Sequence, residues 1–299
     1  MAKPMAPPLC TLMLAAAFLP PATAVAQQRS DSAAPLPDGW HVVPNGKLKG
    51  VDGWGRRCFN LSRNEWEVTV AGDGVEIKKR KTWKEGDLPY SPPTPARLKL
   101  QPWMPGPTVE AGLKSSIHFE GTWLLGYNRG EFGGGLWITN DDGSETKRLV
   151  NDNVHALLPF DGGILVLTGV AHLMSDFGNA LIFANPKGME MALNSSLRLD
   201  DEPRTYVKEP SGDVLFTTTH GLNRITKAGE LQTLAVFPDW VKFQYANSMA
   251  ISSDGSIFVG MRMFVLKLTP DAGAFTQEWL LPAECRNFAL QGTNCVCSP

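Results

Sequence analysis

The sequence predicts an all-β chain folded as a β-propeller, and three observations predict it. First, short polar glycine turns recur, each followed by an apolar strand: EGTW (Glu120 to Trp123), DGGI (Asp161 to Ile164), SGDV (Ser211 to Val214), the Asp-Gly turn inside NSMAISSDGSIFVG (Asn247 to Gly260) and QGTN (Gln291 to Asn294). Aligned on Gly121, Gly162, Gly212, Gly255 and Gly292, they step by 41, 50, 43 and 37 residues. Second, another set of strand-plus-turn segments ends at Gly143, Gly188, Gly229 and Gly273, stepping by 45, 41 and 44, and interleaves with the first. Each unit therefore carries two hairpins, and four antiparallel strands at such a period make a propeller blade rather than a sandwich. Third, no window holds an i, i+3, i+4, i+7 apolar face for three turns, which removes the helical alternative. Six blades are expected, with five or seven if the region from Cys58 to Pro107 divides differently.

The chain from its start reads as a signal peptide, a leader and one domain. Lys3 precedes an apolar run from Leu9 to Leu19, then Pro20, Pro21 and small residues ending Ala24-Val25-Ala26. Residues 1–26 are thus expected to be a cleaved secretory signal, which implies a periplasmic or secreted protein. Residues 27–39 read as a flexible leader and 40–299 as a single propeller. Trp40 to Gly50 reads as a hairpin turning at Asn45-Gly46. It resembles the second half of a blade, while Cys285 to Cys297 resembles a first half, so the last blade is expected to be closed by strands from both termini.

Between Cys58 and Lys81 the pattern is of strands with polar turns, turning over at Arg63-Asn64 or at Asp73-Gly74. The basic run Lys78 to Lys81 reads as a solvated strand and turn. Leu88 to Pro107, with seven prolines, reads as a surface connection. From Leu113 onward the blades are regular. The tryptophans, Trp66, Trp123, Trp137 and Trp279 among them, read as packing between blades.

Charge excludes some partners. With 28 basic and 30 acidic residues, the chain lacks the basic excess that nucleic acid or an anionic membrane calls for. No stretch of the mature chain is apolar and long enough to enter a membrane as a helix. Without the signal, four cysteines remain: Cys58, Cys285, Cys295 and Cys297. Two disulfides are expected, Cys285 bonding Cys295 or Cys297 and Cys58 taking the other.

Candidate site residues come from the repeat phase. Residues ending the second strand of successive blades are Arg129 with Glu131, His172 with Asp176, His220 and Arg262. Starts of the innermost strands add Lys114, His155, Arg204, Asn247 and Arg286, all within one residue of seven positions before the aligned glycines. Antiparallel alternation places both sets on one face of the disk, where cationic and histidine side chains favour an anionic ligand. Nucleophile and phosphate-loop motifs are missing: there is no G-x-S-x-G, H-E-x-x-H or G-x-x-x-x-G-K-[ST].

NSMAISSDGSIFVG resembles the N-G-x-x-x-S-x-D-G-x-x-x-Y-V segment of the SMP-30/gluconolactonase/NHL-type propellers. On that resemblance Asn247 matches the metal-ligand asparagine of the lactonase members, which bind calcium. The aspartate those members carry soon after Y-V is absent, the run here being Gly260-Met261-Arg262-Met263. The expectation is therefore a binding module for an anionic small molecule or glycan, or for an envelope protein, with no cofactor required. A calcium-dependent lactonase is the rival, and it needs a carboxylate among Glu131, Asp152 and Asp176 beside Asn247.

Overall fold

The structure is a computed structural model, and it describes residues 36–44, 65–80, 113–173, 175–237 and 246–282. All of them fall in one compact unit, 33–299. The expected signal peptide, the four cysteines, the proline-rich connection, Arg286 and the Cys285 to Cys297 hairpin lie outside the described residues. No helix among the described residues is long and apolar enough to cross a membrane.

The protein is a β-propeller. Strand β1 (His41–Pro44) is followed by the hairpin β2 (Trp66–Ala71) and β3 (Gly74–Lys79), turning at Gly72 and Asp73. One four-stranded sheet comprises β4 (Leu113–Phe119), β5 (Thr122–Asn128), β6 (Gly134–Asn140) and β7 (Thr146–Val150). The next is formed by β8 (Val154–Phe160), β9 (Gly163–His172), β10 (Ser175–Ala184) and β11 (Leu193–Leu199). After it come β12 (Pro203–Lys208), β13 (Val214–Thr218), β14 (Gly221–Ile225) and β15 (Leu231–Val236). The last comprises β16 (Ser248–Ile251), β17 (Ile257–Gly260), β18 (Val265–Asp271) and β19 (Ala274–Leu281). Every one of these four sheets is an antiparallel meander in sequence order, as the two interleaved turn sets require.

The turns recur because their backbone demands glycine. All eight aligned glycines within the described residues have positive φ, from 59° at Gly188 to 94° at Gly212, a region closed to most side chains.

Packing between blades explains why the strands read as apolar on both faces. In β9, Ile164 and Val166 join a cluster with Leu124, Leu136 and Ile138 of the preceding blade. Leu165 and Leu167 point the other way, joining Val214, Phe216 and Ile225 of the next. The same alternation continues in β17, where Ile257 and Val259 face Leu215 and Leu222 while Phe258 faces Trp66 and Val68. Each sheet thus buries both faces against its neighbours. The first strands β4, β8, β12 and β16 adjoin one another in turn, and β16 adjoins β2, so these strands are innermost.

A strand from the N-terminal region joins the last described sheet: β1 pairs antiparallel with β19 as a fifth strand, His41 opposite Leu281 and Pro44 opposite Glu278. The expected pairing with Cys285 to Cys297 lies outside the described residues. The cause is local: Trp40 packs edge-on against Trp66 at 4.7 Å, drawing the segment to the junction between the last sheet and the β2–β3 hairpin. Pro44, which lacks an N–H, is tolerated on such an outer strand.

Candidate functional site

The starts of three innermost strands, β4, β8 and β12, carry a β-bulge, and the bulged residues are among those the repeat phase singled out; β16 pairs with β17 without one. Pairing of β4 with β5 slips at Lys114, that of β8 with β9 at His155, and that of β12 with β13 between Pro203 and Tyr206, where Arg204 stands. An extra residue in one strand breaks the strict alternation and re-aims a side chain. His155 and Arg204 are turned in this way into a cavity of about 670 Å³, which Asn247 and Arg262 also line. Its walls come from all five sheets.

Two charged arms organise the cavity. In the first, Glu65 Oε2 accepts from Arg80 Nη1 at 3.3 Å and Glu65 Oε1 accepts from Arg262 Nε at 3.1 Å. The backbone fixes this arm, since Arg80 N–H donates to Glu65 O and Trp66 N–H donates to Met261 O. Burial lowers the Arg80 guanidinium below its ordinary range, and the carboxylates of Glu65 and Glu67 oppose that shift. In the second arm, Glu202 Oε1 lies 3.0 Å from His155 Nε2 and Glu202 Oε2 pairs with Arg204 Nη2. Three guanidiniums against two carboxylates leave the cavity with a net positive charge, increased if His155 is protonated.

Donors are left over. Arg204 Nε and Asn247 Nδ2 are both buried without a hydrogen-bond partner among the described residues. The Asn247 amide is oriented, because its Oδ1 accepts the Ser248 hydroxyl at 2.8 Å, and Ser248 Oγ in turn accepts Val68 N–H at 2.9 Å. Asn128 is oriented likewise: its Oδ1 accepts Gly130 N–H at 2.9 Å, which turns Nδ2 toward His155. Tyr206 lines the same wall, and burial raises its phenol above the ordinary range.

The other candidates lie apart from this lining. Arg129 sits between the lining residues Asn128 and Gly130, its backbone N–H held by Asn153 Oδ1 at 3.2 Å. Glu131 Oε2 lies 2.8 Å from His172 Nε2, with both side chains nearly half exposed. His220 and Asp176 meet Asp201: His220 Nδ1 is 3.0 Å from Asp201 Oδ1 and 3.8 Å from Asp176 Oδ2. Two carboxylates and one imidazole make that spot anionic whether or not the histidine is protonated, so it is no anion site. The three ligand atoms lie within 4.8 Å of one another and can hold a metal ion. Asp201 and His220 also border a second cavity of about 540 Å³.

Glu65, Arg80, Asn128 and Glu202 were not singled out from the sequence. Arg80 corrects the reading of its basic run: Lys78 is exposed and pairs with Glu76, but Arg80 is buried at the cavity. The calcium that the family resemblance implies does not fit around Asn247. The carboxylates lining that cavity are Glu65 and Glu202, each already engaged by a guanidinium, and none of Glu131, Asp152 and Asp176 lines it. A hard dication there would face three arginines.

No protein-family model matches the chain, and no curated protein sequence does. Solved structures are similar to it at low sequence identity. A gluconolactonase from Xanthomonas campestris is 13% identical with a TM-score of 0.34, over 57% of each chain. A proposed 6-phosphogluconolactonase from Bacteroides uniformis is 12% identical with a TM-score of 0.38, over 56% of each chain. A virginiamycin B lyase from Staphylococcus aureus is 10% identical with a TM-score of 0.37, over 80% of this chain and 73% of the other. The chain thus spans just over half the length of the two lactonase-type proteins.

Proposed function

We propose that the protein is an exported propeller that holds an anionic ligand, a small carboxylate or an acidic glycan, in the cavity at its channel mouth. The observation that carries this reading is the pair of buried donors without acceptors, Arg204 Nε and Asn247 Nδ2, on the wall of a cavity that three arginines make positive. An incoming oxyanion supplies the acceptor that each donor lacks, and such charge-assisted bonds are the stronger kind. A calcium-dependent lactonase is less well supported, because the carboxylates around Asn247 are committed to arginines. The leader-like first 26 residues support a periplasmic or secreted location.

Calorimetric titration of the mature protein with galacturonate, gluconate, citrate and short uronate oligomers tests the reading, with glucose and calcium as controls. Anions should bind, and more weakly as salt is raised. Binding of glucose or calcium with no anion bound would reject it.

A further inference from the structure

Asp176, Asp201 and His220 bring two negative charges together without an arginine or lysine between them. One donor atom from each lies within 4.8 Å of the other two, and the side chains are only 22% to 26% exposed. Among the described residues no lysine or arginine pairs with either aspartate, whereas Glu65, Glu202 and Glu209 each pair with an arginine. Carboxylates held this close repel one another, and a protonated His220 balances only one of the two charges. A dication balances both.

The backbone builds this convergence from three segments of two adjacent blades. Asp176 is the second residue of β10, Asp201 lies in the connection from β11 to β12, and His220 lies between β13 and β14. The connection can lie against β10 because Gly178 has no side chain: a Cβ there would come within 2.8 Å of Asp201 O and of Pro203 Cδ. Glu202 then clamps the segments, its N–H donating to Asp176 Oδ1 at 2.7 Å and its carbonyl accepting Thr219 N–H at 3.0 Å. Asp176 Oδ1 also accepts the Thr219 hydroxyl, so Oδ2 is the oxygen turned to the imidazole. Outer partners of this kind hold a metal ligand in its orientation.

We propose that these three side chains bind a divalent first-row transition-metal ion, zinc among them. Bonds of about 2.1 Å to nitrogen and oxygen place two donors about 3.0 Å apart at right angles and about 4.2 Å apart when opposed. His220 Nδ1 is 3.0 Å from Asp201 Oδ1 and 3.8 Å from Asp176 Oδ2, both within that range. The imidazole nitrogen sets the class of ion, since calcium and magnesium take oxygen donors. Entry of the ion releases the proton that Nδ1 shares with Asp201. Three protein donors leave a coordination position for water, and Asp201 and His220 border the cavity of about 540 Å³ that gives access to it. This proposal does not depend on the anion reading, so either can fail alone.

The test is calorimetric titration of the chelator-treated mature chain with zinc, manganese, calcium and magnesium chlorides. Zinc should bind at one equivalent and more tightly than manganese, and calcium and magnesium should fail to compete with it. Asp201→Asn and His220→Gln should each weaken zinc binding by roughly 100-fold or more. Cobalt(II) in place of zinc should show no thiolate charge-transfer band, which separates this site from Cys58, Cys285, Cys295 and Cys297. If neither variant folds, the wild-type protein decides, since bound cobalt must broaden the imidazole resonances of His220. Failure of zinc to bind, a preference for calcium, undiminished zinc affinity in either folded variant, a thiolate band, or cobalt that leaves the His220 resonances sharp overturns the proposal.

Discussion

The backbone N–H of Glu202 donates to Asp176 Oδ1 at 2.7 Å, and the same oxygen accepts the Thr219 hydroxyl at 3.3 Å. Glu202 meanwhile turns its carboxylate to His155 and Arg204. One residue between two blades therefore joins the cluster of Asp176, Asp201 and His220 to the central cavity. Asp176→Ala, at a position that does not line the cavity, should weaken anion binding several-fold, because Glu202 loses the acceptor that sets its backbone. Asp176→Asn keeps an acceptor oxygen and should restore most of it. Calorimetry on the two variants checks this; equal affinity in Asp176→Ala and wild type would count against the connection.

Arg204→Ala and Arg262→Ala should each reduce affinity for an anion by about 2 kcal/mol or more. They should also flatten its salt dependence. Arg262→Ala leaves Glu65 still paired with Arg80, so its melting temperature should shift little. A variant that lost stability without losing affinity would place Arg262 in the framework alone.

Trp40→Ala should destabilise the fold by about 1–3 kcal/mol, since the ring is half-buried and packs edge-on against Trp66. Removing residues 36–44 goes further, because the outer edge of β19 loses its partner. Urea unfolding and light scattering report the two effects, and an unaltered midpoint in the truncated protein would mean that β1 contributes nothing to closure.

Acid stability should depend on Asp254 in the turn that precedes β17. Burial pushes its pKa up, but hydrogen bonds from the Ser252 hydroxyl and from the N–H and hydroxyl of Ser256, with Lys267 nearby, outweigh that and leave it below the ordinary carboxylate value of 3.8. A depressed folded pKa means that the unfolded chain binds the proton first. The stabilisation is therefore complete above the unfolded value and lost as pH falls through the folded one. Asp254→Asn should lower stability at neutral pH and flatten its decline below about pH 4. Parallel profiles for variant and wild type would argue against it.

How much was legible follows from what leaves a periodic trace. The hairpins were legible because positive φ admits little besides glycine, as at Gly212 and Gly229. His155 and Arg204 were legible because each bulge falls within one residue of the same distance from its hairpin glycine. Glu202 and Glu65 were not, since they lie outside the repeating strands, where no spacing marks them. The division of the histidines was hidden as well: His172 and His220 share a phase with Arg262, but each is claimed by a carboxylate from a neighbouring segment. Phase reports which end of a strand a residue occupies and says nothing of what a loop brings to meet it.

A strand with Ile164 and Val166 on one side and Leu165 and Leu167 on the other has no polar face to keep out of the core. Slipping it by one position would expose nothing new, so hydrophobicity alone cannot count its residues. What counts them is the tight turn at Gly162 and the surplus residue at His155, one at each end of β8. The position that lines the cavity is thereby also a marker of alignment. Straightening that irregularity by deleting a residue would shift the blade's pairing as well as strip its chemistry, which ties the upkeep of the site to correct assembly of the chain.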